Sequence, residues 1–242
     1  MPSVSAPDLL SAWEAAGPHR PARRALALLA ATDGGTIEGA AGLSIGARDA
    51  RLLELRMELL GPELQGLADC PRCGTTVEFA CDARGLLCAP AAEAAELRVA
   101  LGPWRVRLRP PDGADLVAIE DAAGLEQAVR HLLERCVQEA EHDGEPVPAA
   151  ALPPEVAAAI GERLGEADPQ ADVTLGFGCP ACGFAWDAAF DAAAFLWTEI
   201  EALAQRMLDE VHLLASAYGW TEAEILRLSP QRRRRYIERI GA

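Results

Sequence analysis

The chain has 242 residues, half of them apolar, with a formal net charge of −15 and an isoelectric point near 4.7. That length suffices for one large or two small domains around a sizeable core. The acidity repels phosphate backbones, which makes nucleic acid a poor partner. All 22 basic residues are Arg and there is neither Lys nor Asn, a bias that fits GC-rich coding rather than a functional adaptation.

From the N-terminus, periodicity predicts helix over residues 8–31, interrupted at Gly17-Pro18. Leu9, Leu10 and Trp13 share one face, and Leu26, Leu28 and Leu29 follow in the second segment, from about Pro21. Residues 34–46, rich in Gly and Ala, are predicted to form a loop. Gly34-Gly35 and Gly39 do not make a P-loop, because no Gly-Lys-Ser/Thr follows. Residues 47–60 form a predicted helix with a Leu52, Leu55, Leu59 stripe, stopped by Gly61-Pro62. Met1–Leu10 lacks a basic stretch ahead of a long apolar run, and Ala25–Ala31 is too short to span a bilayer. The expectation is a cytoplasmic, reduced protein without a membrane segment.

Two five-residue stretches carry the chemistry: Cys70-Pro71-Arg72-Cys73-Gly74 and Cys179-Pro180-Ala181-Cys182-Gly183. Each is C-P-x-C-G, a tight turn that aims two thiolates at one point. Two such knuckles supply the four ligands that Zn²⁺ takes in a structural tetrahedron. A closed site of Cys70, Cys73, Cys179 and Cys182 is therefore expected to hold one structural Zn²⁺; a redox or disulfide pair is the alternative. Knuckles usually lie about 15–20 residues apart, whereas 105 residues (74–178) intervene here, so the ion would clip distant segments around an enclosed one. Cys81, Cys88 and Cys136 are expected to be buried as small hydrophobes. Thr75–Phe79 alternates as a strand after the first knuckle. Val173–Phe177 leads into the second, and Phe184, Trp186 and Phe190 follow it.

Between the knuckles, Glu96–Ala100 and Trp104–Arg109 are predicted strands around Leu101-Gly102-Pro103, followed by a turn through Arg109–Gly113 and a helical stretch from Asp115. A longer helix is predicted from Leu125 to Glu141, with Leu125, Val129, Leu132, Leu133 and Cys136 on one face. Asp143–Pro148 is a linker, and Pro153-Pro154 starts a helix to about Gly165. From Ala192 to Tyr218, Leu196, Ile200, Leu203, Met207, Val211 and Leu214 step by three and four. Gly219 ends that helix. Thr221 with Glu224 fits a capping box, and a last helix after Ser229-Pro230 carries the basic run Arg232, Arg233, Arg234 and Arg235. His19, His131, His142 and His212 lack metal-pair spacing, and no G-x-S-x-G elbow occurs. A zinc with four Cys ligands has no open position for water, so the reading is non-enzymatic.

Several stretches resemble one family: Phe195–Ile200, Asp209–Ala215, Tyr218–Leu226 and Leu228–Tyr236 at the C-terminal end, Arg107–Leu116, Asp168–Asp172 and both knuckles. Together they resemble the T-even-type phage baseplate hub assembly chaperone-like proteins, with relatives in phage-tail-like contractile injection systems, over roughly residues 45–240. The family's R-L-P-x-x-x-D-L turn is interrupted here by Arg109. The resemblance implies a non-enzymatic assembly factor or minor structural component of a contractile baseplate, in the cytoplasm or carried into a tail-like particle. Its partners would be hub or wedge proteins, with Trp197, Trp220, Tyr236 and Arg232–Arg235 as expected contacts. The competing function is a nucleic-acid-binding zinc ribbon with a basic C-terminal helix. The expected fold is α+β and mostly helical. Its predicted parts are an N-terminal helical region (1–66), a zinc-ribbon-like module (67–83 plus 171–191), an inserted α/β segment (84–170) and a C-terminal helical arm (192–242).

Overall fold

A computed structural model describes residues 4–88 and 96–240. The outermost residues of the predicted terminal regions and positions 89–95 of the predicted insert lie outside the described residues. The fold is a largely helical α+β structure.

Helices α1 (Ala6–Ala16) and α2 (Pro21–Asp33) form a hairpin broken at Gly17-Pro18. The Ser5 hydroxyl accepts from the Asp8 amide to cap α1, and Gly34, with φ of 70°, closes α2. The predicted loop over 34–46 holds one short helix instead, α3 (Ile37–Ala41): the Thr36 hydroxyl accepts from the Gly39 amide and supplies a local cap that the low-complexity composition masks. Helix α4 (Ile45–Leu60) follows. The 27-residue α8 (Ala192–Tyr218) runs through the main core, where Leu196, Ile200, Ala204 and Met207 meet Leu9, Leu28, Leu29, Leu52 and Leu55. Arg56 fastens α4 to α8 with two parallel hydrogen bonds to Glu199, at 2.9 and 2.8 Å. Helix α9 (Glu222–Leu226) carries the expected Thr221–Glu224 capping box, and α10 (Pro230–Ile240) folds back on α8.

A second core lies under a four-stranded antiparallel sheet of β3 (Leu97–Leu101), β4 (Trp104–Leu108), β5 (Val137–His142) and β6 (Glu145–Pro146), in that order. Leu97, Val99, Val106, Leu108 and Ala140 face Val156 and Ile160 of α7 (Pro154–Ala167). Here the predicted helix to Glu141 is corrected: α6 (Leu125–Cys136) stops at Cys136 and the chain turns directly into β5. The segment Val-Gln-Glu-Ala-Glu-His alternates, and pairing with β4 outweighs its helical propensity.

Two of the stretches that carry the resemblance, Arg107–Leu116 and Asp168–Asp172, form a structural joint. Asp112 caps α5 (Gly113–Ile119) in a capping box with Asp115. The Asp115 side chain is fully buried and accepts from Arg109 at 2.6 and 2.8 Å and from Arg135 at 2.6 Å. This turn bonds the start of α4: the Ile45 amide donates to the Pro111 carbonyl and the Gly113 amide to the Leu43 carbonyl. From the other side, Asp168 accepts the Gly46 amide at 2.8 Å. Gln170 donates to the Leu86 carbonyl and accepts the Cys88 amide, bracing the chain beyond β2 (Thr76–Asp82).

Candidate metal centre

Each knuckle is the turn of a two-stranded antiparallel hairpin. The first joins β1 (Glu63–Asp69) to β2, and the second joins β7 (Thr174–Gly178) to β8 (Ala185–Ala189). The two turns are built alike. The Cys70 amide donates to the Thr75 carbonyl and the Gly74 amide to the Cys70 carbonyl; in the second, Cys179 bonds Phe184 and Gly183 bonds Cys179. Gly74 and Gly183 sit at φ of 73° and 68°, a left-handed conformation that L side chains rarely adopt, which is why each motif ends in Gly. Strand β1 escapes the sequence reading because Gly66 and Ala68 weaken its alternation; the signal available was symmetry, since the second knuckle has a strand on both sides.

The hairpins bring all four thiols together. Cys70 Sγ lies 3.7 Å from Cys182 Sγ, and Cys73 Sγ lies 3.6 Å from Cys179 Sγ. All four sulfurs fall within 4.8 Å of one another. A tetrahedron with Zn–S bonds of about 2.3 Å has edges of about 3.8 Å, and the donors are sulfur alone, so the cluster is able to chelate such an ion. All seven cysteines are free thiols, and these contacts are too long for a disulfide, whose sulfurs lie about 2.05 Å apart. Hydrogen bonding at Thr75 draws the exposed Cys73 thiol down to about 6. Cys182 goes the other way, to about 12: the Phe184 amide favours its thiolate, but desolvation and the neighbouring sulfurs outweigh that. A divalent cation relieves the crowding of four such groups.

Aromatic packing spans the two hairpins. Phe79 of β2 meets Phe177 of β7 edge-on at 5.4 Å, Phe177 stacks on Trp186 at 5.2 Å, and Arg72 of the first knuckle lies over Phe184 of the second. A third apolar cluster (Leu53, Leu64, Ala83, Leu86 and Ala192) seats this pair on α4 and α8. Of the remaining cysteines, Cys136 is buried as expected, its thiol pushed up to about 11 by burial, and Cys81 is half-buried. Cys88 is a correction: its backbone amide is tied to the buried Gln170, but the residue is exposed.

The residues expected to meet a partner are placed unequally. Trp197 packs half-buried against the main core under the Arg24 guanidinium, 4.4 Å from its ring. Trp220 and Tyr236 pack with Tyr218 into one aromatic group at 4.8–5.8 Å that pins α10 to α8. Arg232, Arg234 and Arg235 are exposed. Arg233 is only 3% exposed and turns inward, donating to Glu210 at 2.6 Å and to the Leu228 carbonyl at 2.9 Å. Its charge is consumed inside the fold, because a period of 3.6 residues points one of four consecutive side chains at the neighbouring helix.

A family model described as "T4 bacteriophage base plate protein" matches residues 28–197, a span holding both knuckles, the joint and the first turns of α8. No curated protein and no solved structure matches the chain.

Proposed function

The chain belongs to the T4 bacteriophage base plate protein family over residues 28–197, and from that premise we propose that it is a zinc-clipped assembly factor or minor structural component of a contractile baseplate. The family is structural rather than catalytic. Among the described residues, no helix is long and apolar enough to cross a membrane. The family match carries the proposal, and the convergence of four thiols supports one structural Zn²⁺ held by Cys70, Cys73, Cys179 and Cys182. The ion would have no chemistry of its own to perform with all four positions filled by sulfur; it would hold two hairpins, and so one surface, in a single arrangement.

The contact with hub or wedge proteins would lie elsewhere, on α10 at the far end of α8, with Arg232, Arg234 and Arg235 beside Trp220 and Tyr236 as the contact patch, the residue types that concentrate interface energy. The nucleic-acid reading loses support from the inward turn of Arg233 and from the net charge of −15. The test is co-purification of the tagged chain with baseplate proteins, comparing wild type with an Arg232→Ala/Arg234→Ala/Arg235→Ala variant, which spares the Arg233–Glu210 pair and the aromatic group. The expected result is capture by wild type and a reduction of at least about tenfold in the variant. Equal capture by both would remove the contact patch, and no capture by wild type would remove the baseplate role.

A further inference from the structure

A cavity of about 560 Å³ opens between α2, α4, α5 and α8, four elements from widely separated parts of the chain. Its walls are mostly apolar, built from Leu28, Leu52, Leu116, Ile119 and Trp197. The charges around it are nearly all committed. Arg20 pairs with Asp121, and Arg48 pairs with Asp49 at 2.7 Å. Glu120 accepts the Ala22 amide in the first turn of α2, and Asp191 accepts the Ala194 amide in the first turn of α8, so each carboxylate is matched to a helix N-terminus.

Arg24 is the exception. Among the described residues it has no carboxylate partner. Its Nη2 donates to the Gly17 carbonyl at 3.3 Å and its guanidinium lies over Trp197, while its Nε is shut away from solvent with no acceptor. The guanidinium nonetheless lines the cavity with a charge that no carboxylate of the described residues neutralises, and a ligand carboxylate entering there would do so.

We infer that this cavity takes the C-terminal residue of a partner polypeptide, its apolar side chain against the Leu and Ile walls and its free carboxylate on Arg24. One uncommitted guanidinium matches one negative charge, whereas a phosphate would bring a second toward Glu120 and Asp191. An Asp or Glu side chain has no apolar group of its own to fill the walls; only a chain terminus offers an apolar side chain and a carboxylate on the same residue. The volume belongs to the class of small-ligand pockets and is no groove for a helix. That the occupant is a polypeptide rests on the baseplate reading; the anion-plus-apolar chemistry rests on the cavity alone.

The experiment titrates the full chain with N-acetyl-Leu-Leu and with its C-terminal amide, followed by calorimetry and Trp fluorescence. The expected result is saturable binding of the acid, at least about tenfold tighter than the amide, with that preference lost in Arg24→Gln. The acid–amide comparison on wild type stands even if the variant folds poorly. Equal binding of acid and amide, or no saturation well beyond millimolar concentration, would overturn the inference. So would inorganic phosphate or hexanoate binding as tightly as the dipeptide, since either would name a different occupant. A failed titration leaves the co-purification result untouched, so the two readings fall separately.

Discussion

Asp115 and Asp49 are both buried, and their surroundings drive them in opposite directions. Burial raises Asp115, but two guanidiniums and the Asp112 amide outweigh it and hold the carboxyl well below the usual carboxylate range. Its contribution to stability is present above ordinary carboxylate pKa values and is lost as the pH falls below them. Burial wins at Asp49, pushing it up to about 6 against the pull of Arg48, with Asp191 and Asp168 adding repulsion. A carboxylate raised on folding binds its proton more tightly in the native state than in the unfolded one. Its ionisation therefore weakens the fold above about pH 6, and that penalty is relieved as the pH falls toward 4. Denaturant titrations of wild type between pH 7 and pH 4.5 should show a gain of about 1–3 kcal/mol from this group. Asp49→Asn should flatten that slope relative to wild type. A variant with an unchanged slope would mean that Asp49 is not the titrating group.

At the scale of elements, the two hairpins form the part of the molecule most dependent on a ligand. Each is a two-stranded sheet, which is marginal alone in water. Their exposed strands alternate between half-buried and exposed residues, with Leu67 left 68% exposed. Structural zinc contributes about 10–16 kcal/mol of apparent binding energy in small finger peptides, enough to decide whether such hairpins form. The α1, α2, α4 and α8 core is built without them. Metal analysis should find one zinc per chain, and chelation or Cys179→Ser should abolish it. Limited proteolysis should then open residues 63–82 and 174–189, while far-UV dichroism keeps most of the helical signal. Full unfolding on chelation would show instead that the clip holds the whole protein, and undiminished protease resistance would remove the zinc.

At the scale of the whole molecule, two cores meet at a joint that polar contacts fasten. The helical core and the core under the β3–β6 sheet meet where Pro111–Gly113 and Asp168 grip the first turn of α4. The grip is tight at Gly46, where an added Cβ would sit 1.8 Å from Asp168 Oδ1 and would have to displace the carboxylate that accepts the Gly46 amide. Asp168→Ala removes a buried acceptor and strands the Gly46 amide, a loss of about 1–3 kcal/mol. Hydrogen exchange should show the β3–β6 sheet opening more readily in this variant, with protection of α8 unchanged. Equal loss in both would mean that the cores unfold as one unit regardless of the joint.

The sequence by itself determined whatever repeats at short range. The twin C-P-x-C-G turns, the stripe along α8 and the Thr221–Glu224 box each depend on residues a few positions apart, and local sterics impose them wherever the chain goes. The length of α6, the strand nature of β5, the inward turn of Arg233 and the exposure of Cys88 depend on what lies opposite in space. Their local signals are ambiguous: pairing with β4 decided the first two and Glu210 the third. The same is true of the thiol cluster and the cavity at Arg24: the sequence named the four sulfurs, but only packing could bring them within one coordination sphere or leave one guanidinium without a carboxylate.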